Sequence, residues 1–270
     1  MLHAVGIESS LAWNGRTWSL LVDADSALKA IEQLQGYEGE NRPRRPTVSA
    51  EPQDSSAWRG SAAYVVILLV VGFLAGRRAF GHDWFDAGAL HAGSVRNGEL
   101  WRAVTALTLH ADVGHLLANL GFGAFFGLLA GQLLGPGVTW FCVLLAAIAA
   151  NLLNSLVHEA GYVSIGASTA VFAALGLLAA YSWRRQSEGD SRLVYRWAPL
   201  VAGIALLGFM GVGGERTDVL AHLTGFVMGI VVGGLLSLIR RRAAQQVQLI
   251  LALLAMGIVF AAWSAALATS

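Results

Sequence analysis

The chain has 270 residues, of which 56% are hydrophobic and 13% charged, and its apolar residues fall in blocks rather than at amphipathic spacing, the pattern of an integral membrane protein. A formal net charge of +1 supplies no basic surface of the kind nucleic acid demands, so nucleic acid is not an expected partner, and the length leaves little room for a large soluble domain. The single cysteine, Cys142, lies inside an apolar run, so there is no disulfide framework and no cysteine-based metal site.

In chain order, residues 1–57 are the polar part. Trp18-Ser19-Leu20-Leu21-Val22 reads as a short strand and Ala24 to Gln35 as an amphipathic helix, together a small cytosolic N-terminal domain. Asn41-Arg42-Pro43-Arg44-Arg45-Pro46 and the Ser, Pro and Gln residues to Ser56 form a linker, because proline and charge stop either period from continuing. The first 30 residues lack the apolar segment of a signal peptide, so targeting is expected to rest on the first membrane span.

Seven spans are predicted, at Gly60 to Gly76, His115 to Leu134, Val138 to Val157, Ser168 to Trp183, Tyr195 to Val212, Val219 to Ile239 and Val247 to Ala268. Several are shorter than the ~20 residues a bilayer usually requires. Cytoplasmic loops are rich in Arg and Lys. An N-terminus in the cytoplasm puts Arg42, Arg44, Arg45, Arg59, Arg184, Arg185, Arg192, Arg196 and Arg240 to Arg242 inside, and only Arg77, Arg78, Arg96, Arg102 and Arg216 outside. The fold class is therefore all-α and polytopic, with the N-terminus in and the C-terminus out. Near-exclusive use of arginine, with Lys29 alone, points to a GC-rich bacterium and so to its inner (plasma) membrane.

In that topology the second, fourth and sixth spans run inward from the outer face, and each opens on polar residues. His115 and Asn119 open the second, Ser168 the fourth and His222 the sixth. At ~1.5 Å per residue each lies in the first two turns of its helix, so all share one depth. His115 and Asn119, four apart, project from one face. Ionisable and polar side chains at matched depth in separate spans mark a functional site. A hydroxyl, a base, and donors for a tetrahedral oxyanion are the set that acyl transfer needs. Taken singly, Gly-x-Ser is weak, because small residues are common at membrane helix contacts, and a lone membrane histidine is more often a packing or proton-path residue.

Four motifs strengthen the set. Glu99-Leu100-Trp101-Arg102, His110 with His115-x-x-x-Asn119, Gly166-Ala167-Ser168, and Ala221-His222-x-x-Gly225-x-x-x-Gly229 together resemble the rhomboid family of intramembrane serine proteases, across most of residues 60–240. The resemblance implies a six-helix catalytic core over 58–242, followed by a seventh helix within 243–270. It implies Ser168 as nucleophile and His222 as general base in a dyad without a third acidic residue. His115 and Asn119 become oxyanion donors beside the Ser168 amide, and Phe172 packs on the histidine. Substrates would be transmembrane proteins cut at small residues near the outer membrane face, with no cofactor or metal. The chain departs from the family at Thr169, where glycine is usual, and at Phe172, where many relatives carry tyrosine.

Gly225, Gly229 and Gly233 form a small-residue stripe expected to pack the sixth span on the fourth. Trp101 and Arg102 read as an interfacial anchor that also shapes the first outer loop, and Gly211 to Glu215 as a tight turn or a mobile gate for a substrate helix. Asn151, Asn154, His158 and Glu159 are expected to hydrogen-bond at the outer end of the third span. Convergence of His110, His115, His158 and His222 on zinc is the sharper alternative, without the His-Glu-x-x-His arrangement to support it. Two rivals to the protease are a non-catalytic rhomboid-like protein that binds or escorts membrane clients, and a transporter with a buried polar relay. The transporter lacks the signature of two repeated halves with broken helices.

Overall fold

The computed structural model describes residues 2–40, 53–187, 193–211, 218–239 and 242–270. It divides into two compact units, Met1–Ala50 and Glu51–Ser270. In the first, β1 (Ser9–Trp13) and β2 (Trp18–Val22) form an antiparallel hairpin followed by α1 (Ala27–Glu40). Asn14 Oδ1 accepts from the amides of Arg16 and Thr17 at 2.9 and 2.8 Å, closing the turn through Gly15 at φ +88°, where glycine carries no steric cost. Trp13 and Trp18 then meet across the ladder at 5.2 Å. One strand was expected and two are present: Ser9 and Ser10 dilute the apolar signal of β1, and the Asn-Gly turn is what reveals it. The helix also starts later than Ala24, because Ala24–Ser26 is a 3-10 turn. The expected linker lies outside the described residues from Asn41 to Pro52.

The second unit opens with α2 (Ala57–Gly76). A loop of short elements follows: α3 (Trp84–Gly88), β3 (Leu90–His91), α4 (Ala92–Arg96) and α5 (Arg102–Thr105). Next come α6 (Val113–Leu134), α7 (Pro136–Val157), β4 (Val163–Ser164), α8 (Ser168–Ser187), α9 (Leu193–Gly211), α10 (Val219–Leu236) and α11 (Gln245–Thr269). Five of these, α2, α6, α7, α10 and α11, are long and apolar enough to cross a bilayer; α8 and α9 have 20 and 19 residues. Two helix starts are set by aspartate caps, which satisfy amide groups the helix leaves unpaired: Asp112 Oδ1 accepts from the His115 amide at 2.8 Å, and Asp218 Oδ1 from the Ala221 amide at 3.0 Å.

Helix α8 is the centre of the unit and packs on α6, α7, α9 and α10. Ala173, Ala174 and Leu177 on it are almost wholly buried, as a helix apolar on all faces should be. Its closest partner is α10. A Cβ on Gly225, Gly229 or Gly233 would fall 2.4, 2.1 or 2.4 Å from the carbonyl oxygens of Thr169, Ala173 and Leu177, and one on Gly176 would fall 2.1 Å from the Phe226 carbonyl. The two backbones are therefore in direct contact over two turns, the approach that small residues permit.

Helix α11 lies on α7 and α5. At its start the Gln248 side chain accepts from the Val138 amide at 2.9 Å and donates to the Leu134 carbonyl at 2.7 Å, which ties it into the α6–α7 corner. At its far end Trp263 packs on Trp84 at 4.5 Å and donates to Thr108 Oγ1 at 3.0 Å.

Candidate active site

Ser168 is the first residue of α8 and is half-buried. The segment before it is pinned on two sides: Gly166 N donates to the Ala106 carbonyl at 2.9 Å and Ala167 N to His110 Nε2 at 3.3 Å. Gly166 has φ +135°, and a Cβ there would sit 2.9 Å from His115 Nε2 and 3.6 Å from Ser168 Oγ. Glycine leaves the hydroxyl and the imidazole on either side of one small space.

His222 is buried in the first turn of α10. The Phe172 ring, one turn beyond Ser168 on α8, lies 4.5 Å from the His222 ring at a tilt of 35°. Ser168 and His222 thus occupy the same end of the helix pair that the glycine contacts hold together. Asp218 anchors the start of α10. Its backbone carbonyl accepts from the His222 amide at 3.1 Å, and its Oδ2 accepts from Ser164 Oγ at 3.0 Å and from the Tyr162 hydroxyl. Tyr162 in turn stacks on His158 at 3.8 Å. Burial, aided by donation to Asp218, pushes the Tyr162 hydroxyl above its ordinary value. These partners were missed from the sequence, although an Asp just before an apolar run is a recognisable N-cap signal at both Asp112 and Asp218.

His115 and Asn119 share one face of α6. Asn119 is buried, and its Nδ2 donates to the His115 carbonyl at 3.0 Å, which leaves the second amide hydrogen for another acceptor. The Tyr64 hydroxyl from α2 donates to the Asn119 carbonyl at 2.9 Å. His110, in the loop before α6, meets the His115 ring edge-on at 5.1 Å. Burial, with the neighbouring His115, pushes its pKa down to about 4, so its Nε2 stays free to accept from Ala167.

Trp101 and Arg102 tie the first loop together. Arg102 donates to Glu99 at 2.6 Å and to the carbonyls of Asp86 and Ala89 at 2.7 and 2.8 Å, and its side chain is only 12% exposed. Trp101 packs against the Trp84, Leu109 and Trp263 cluster. The loop-shaping part of their expected role is carried by the guanidinium, which holds two carbonyls of the first loop. Asn151 Nδ2 donates to the Ala103 carbonyl at 2.9 Å, and Asn154 Oδ1 accepts from Thr224 Oγ1 at 3.1 Å, so the third span does hydrogen-bond at its far end. Among the described residues no three His, Cys, Asp or Glu side chains come together as metal ligands. Residues 212–215 of the expected glycine-rich gate lie outside the described residues.

A serine, an imidazole and candidate oxyanion donors gathered at one end of an apolar helix bundle define a multi-pass membrane protein with a buried polar centre. Residues 97–239 match the rhomboid domain model, and the chain belongs to the rhomboid family. It is 34% identical over 146 residues to Rhomboid-like protease 3 of Toxoplasma gondii, covering 53% of this chain and 54% of that protein. It is 29% identical over 142 residues to Rhomboid-like protease 2 of the same organism, covering 52% and 48%. It is 33% identical over 159 residues to RHOMBOID-like protein 7 of Arabidopsis thaliana, covering 55% and 47%. The chain thus spans about half the length of these relatives.

Proposed function

We propose that the protein is an intramembrane serine endopeptidase that cuts transmembrane proteins near the outer membrane face, with Ser168 as nucleophile and His222 as general base. The observation that carries this reading is the α8–α10 pair: Ser168 and His222 open neighbouring helices in backbone contact, and Phe172 braces the imidazole at 4.5 Å. Ser168 Oγ attacks the scissile carbonyl while His222 takes its proton. The oxyanion is received by His115, Asn119 and the Ser168 amide. His222 then protonates the leaving amine, and water resolves the acyl-enzyme by the same route in reverse. The chemistry asks for no cofactor. Two relatives named as proteases support the same reaction class.

The accompanying architecture is a seven-span protein with a cytoplasmic N-terminus in a bacterial inner membrane: residues 1–57 a small cytosolic domain and linker, 58–242 the catalytic core, and 243–270 the seventh span. The test is cleavage of a labelled transmembrane substrate by purified protein in liposomes. Loss in both Ser168→Ala and His222→Ala is expected. Retention in either removes that residue from its role, and inactivity of the parent across several substrates favours the client-binding alternative.

A further inference from the structure

The cleft between α2 and α11 is lined by Tyr64, which holds the Asn119 carbonyl, but by neither Ser168 nor His222. Both helices pack on α7 but scarcely touch one another, and the gap between them is a cavity of about 520 Å³, within the ~300–1,000 Å³ of small-ligand sites. Trp140 and Leu144 of α7 form its floor, Ile67 and Leu68 one wall, Ala252 and Met256 the other. Its two ends differ in chemistry. At one end the N-termini of α2, α7 and α11 meet, since Gly60 lies against Pro136 and Gln248 holds the first turn of α7; Ser56, Arg59, Gln245 and Gln246 line the cavity there. The other end closes on Leu107 and Val259.

We infer that this groove binds a single phospholipid with an anionic headgroup, its phosphodiester at Arg59 and one acyl chain along α7. Charge complementarity selects the head. Arg59 is exposed, lies 5.9 Å from the Trp58 ring and has no salt bridge among the described residues. The carboxylate nearest to it in effect, Asp54, is occupied by the Ser56 amide and hydroxyl at 2.8 and 2.6 Å. The first turn of α11 offers amides beyond Ala244, an N-cap with no side-chain acceptor, and a phosphate suits such a helix start.

Length selects the tail. From Arg59 to Leu68 on α2 and from Gln245 to Val259 on α11 the groove runs on the order of 15–20 Å, the depth of one leaflet of a ~30 Å hydrocarbon core. Beyond that Val71 and Ala75 of α2 close on Trp263 and Ala266 of α11, so a transmembrane helix cannot lie along it from face to face.

The test is titration of the delipidated protein, in dodecyl maltoside, with phosphatidylglycerol, counting bound lipid by native mass spectrometry and following thermal unfolding. One saturable lipid and a raised Tm are expected for the parent. Arg59→Gln should weaken binding about tenfold, the loss of one charge-assisted contact, and Ala252→Trp should abolish it by filling the groove. Arg59, being at the surface, keeps the test decisive if Ala252→Trp fails to fold. Equal binding by parent and Arg59→Gln, displacement by glycerol phosphate alone, or occupation of the groove by a transmembrane peptide in place of the lipid overturns the inference.

Discussion

Gly166 illustrates how much a single position decides. Its φ of +135° and the imidazole 2.9 Å from where a Cβ would stand make Gly166→Ala both strained and obstructive. Cleavage in the liposome assay should fall by at least tenfold while helix content by circular dichroism is unchanged. Asp218 acts at one remove, by fixing the first turn that carries His222. Tyr162→Phe removes one of its donors and Asp218→Ala removes the cap, costing about 1 kcal/mol of local order. A several-fold drop in kcat at constant KM is expected, larger for Asp218→Ala and partly restored in Asp218→Asn. His110 gives a pH signature. Its folded pKa of about 4 lies below the ordinary 6.5, so as pH falls the unfolded chain takes up a proton near 6.5 that the folded protein refuses until about 4. The His110 contribution to stability is full above 6.5, is lost between 6.5 and 4, and does not change further below. Thermal unfolding across that window should show the decline, and His110→Gln should make it shallower.

Between elements, the α8–α10 contact is the one whose geometry tolerates least. A methyl at Gly229 meets the Ala173 carbonyl at 2.1 Å, whereas one at Gly234, on the same helix, meets nothing within 4 Å. All three of the atoms nearest to it are Ala173 backbone, which cannot rotate away, so Gly229→Ala should force the helices apart at a cost of about 1–3 kcal/mol. Gly234→Ala should be neutral. Measuring Tm and cleavage for both separates helix approach from helix propensity, and equal effects would refute the packing argument. The shift need not be large, since a proton passes between hydroxyl and imidazole only within about 2.6–3.2 Å.

For the whole molecule, α11 is built into the unit that carries the site rather than appended to it. Trp263 reaches Trp84 in the first loop and Thr108 ahead of α6, and Gln248 holds the α6–α7 corner. Trp263→Ala leaves a cavity where lipid cannot repack and strands the Thr108 contact, a loss of about 3 kcal/mol or more. Tm in detergent should fall accordingly. If it does not, α11 is a passenger.

The apolar blocks determined by themselves that the chain is a multi-pass helical membrane protein, because a backbone in hydrocarbon has to satisfy its own hydrogen bonds and does so as a helix. Spacing pointed to Ser168, His222, His115 and Asn119 as candidates, since polar residues at the starts of apolar runs carry a cost in hydrocarbon. The small-residue stripe could be read from its period of four. Other features were settled only by the tertiary structure. A loop-shaping role for Arg102 was legible, but which carbonyls its guanidinium holds, 16 and 13 residues away, no local pattern encodes. The Tyr162–Asp218 link joins residues 56 apart, and the groove along α7 is the space left where two helices pack on a third and meet each other only at one end. These depend on which faces meet, which the long-range packing of the folded chain decides.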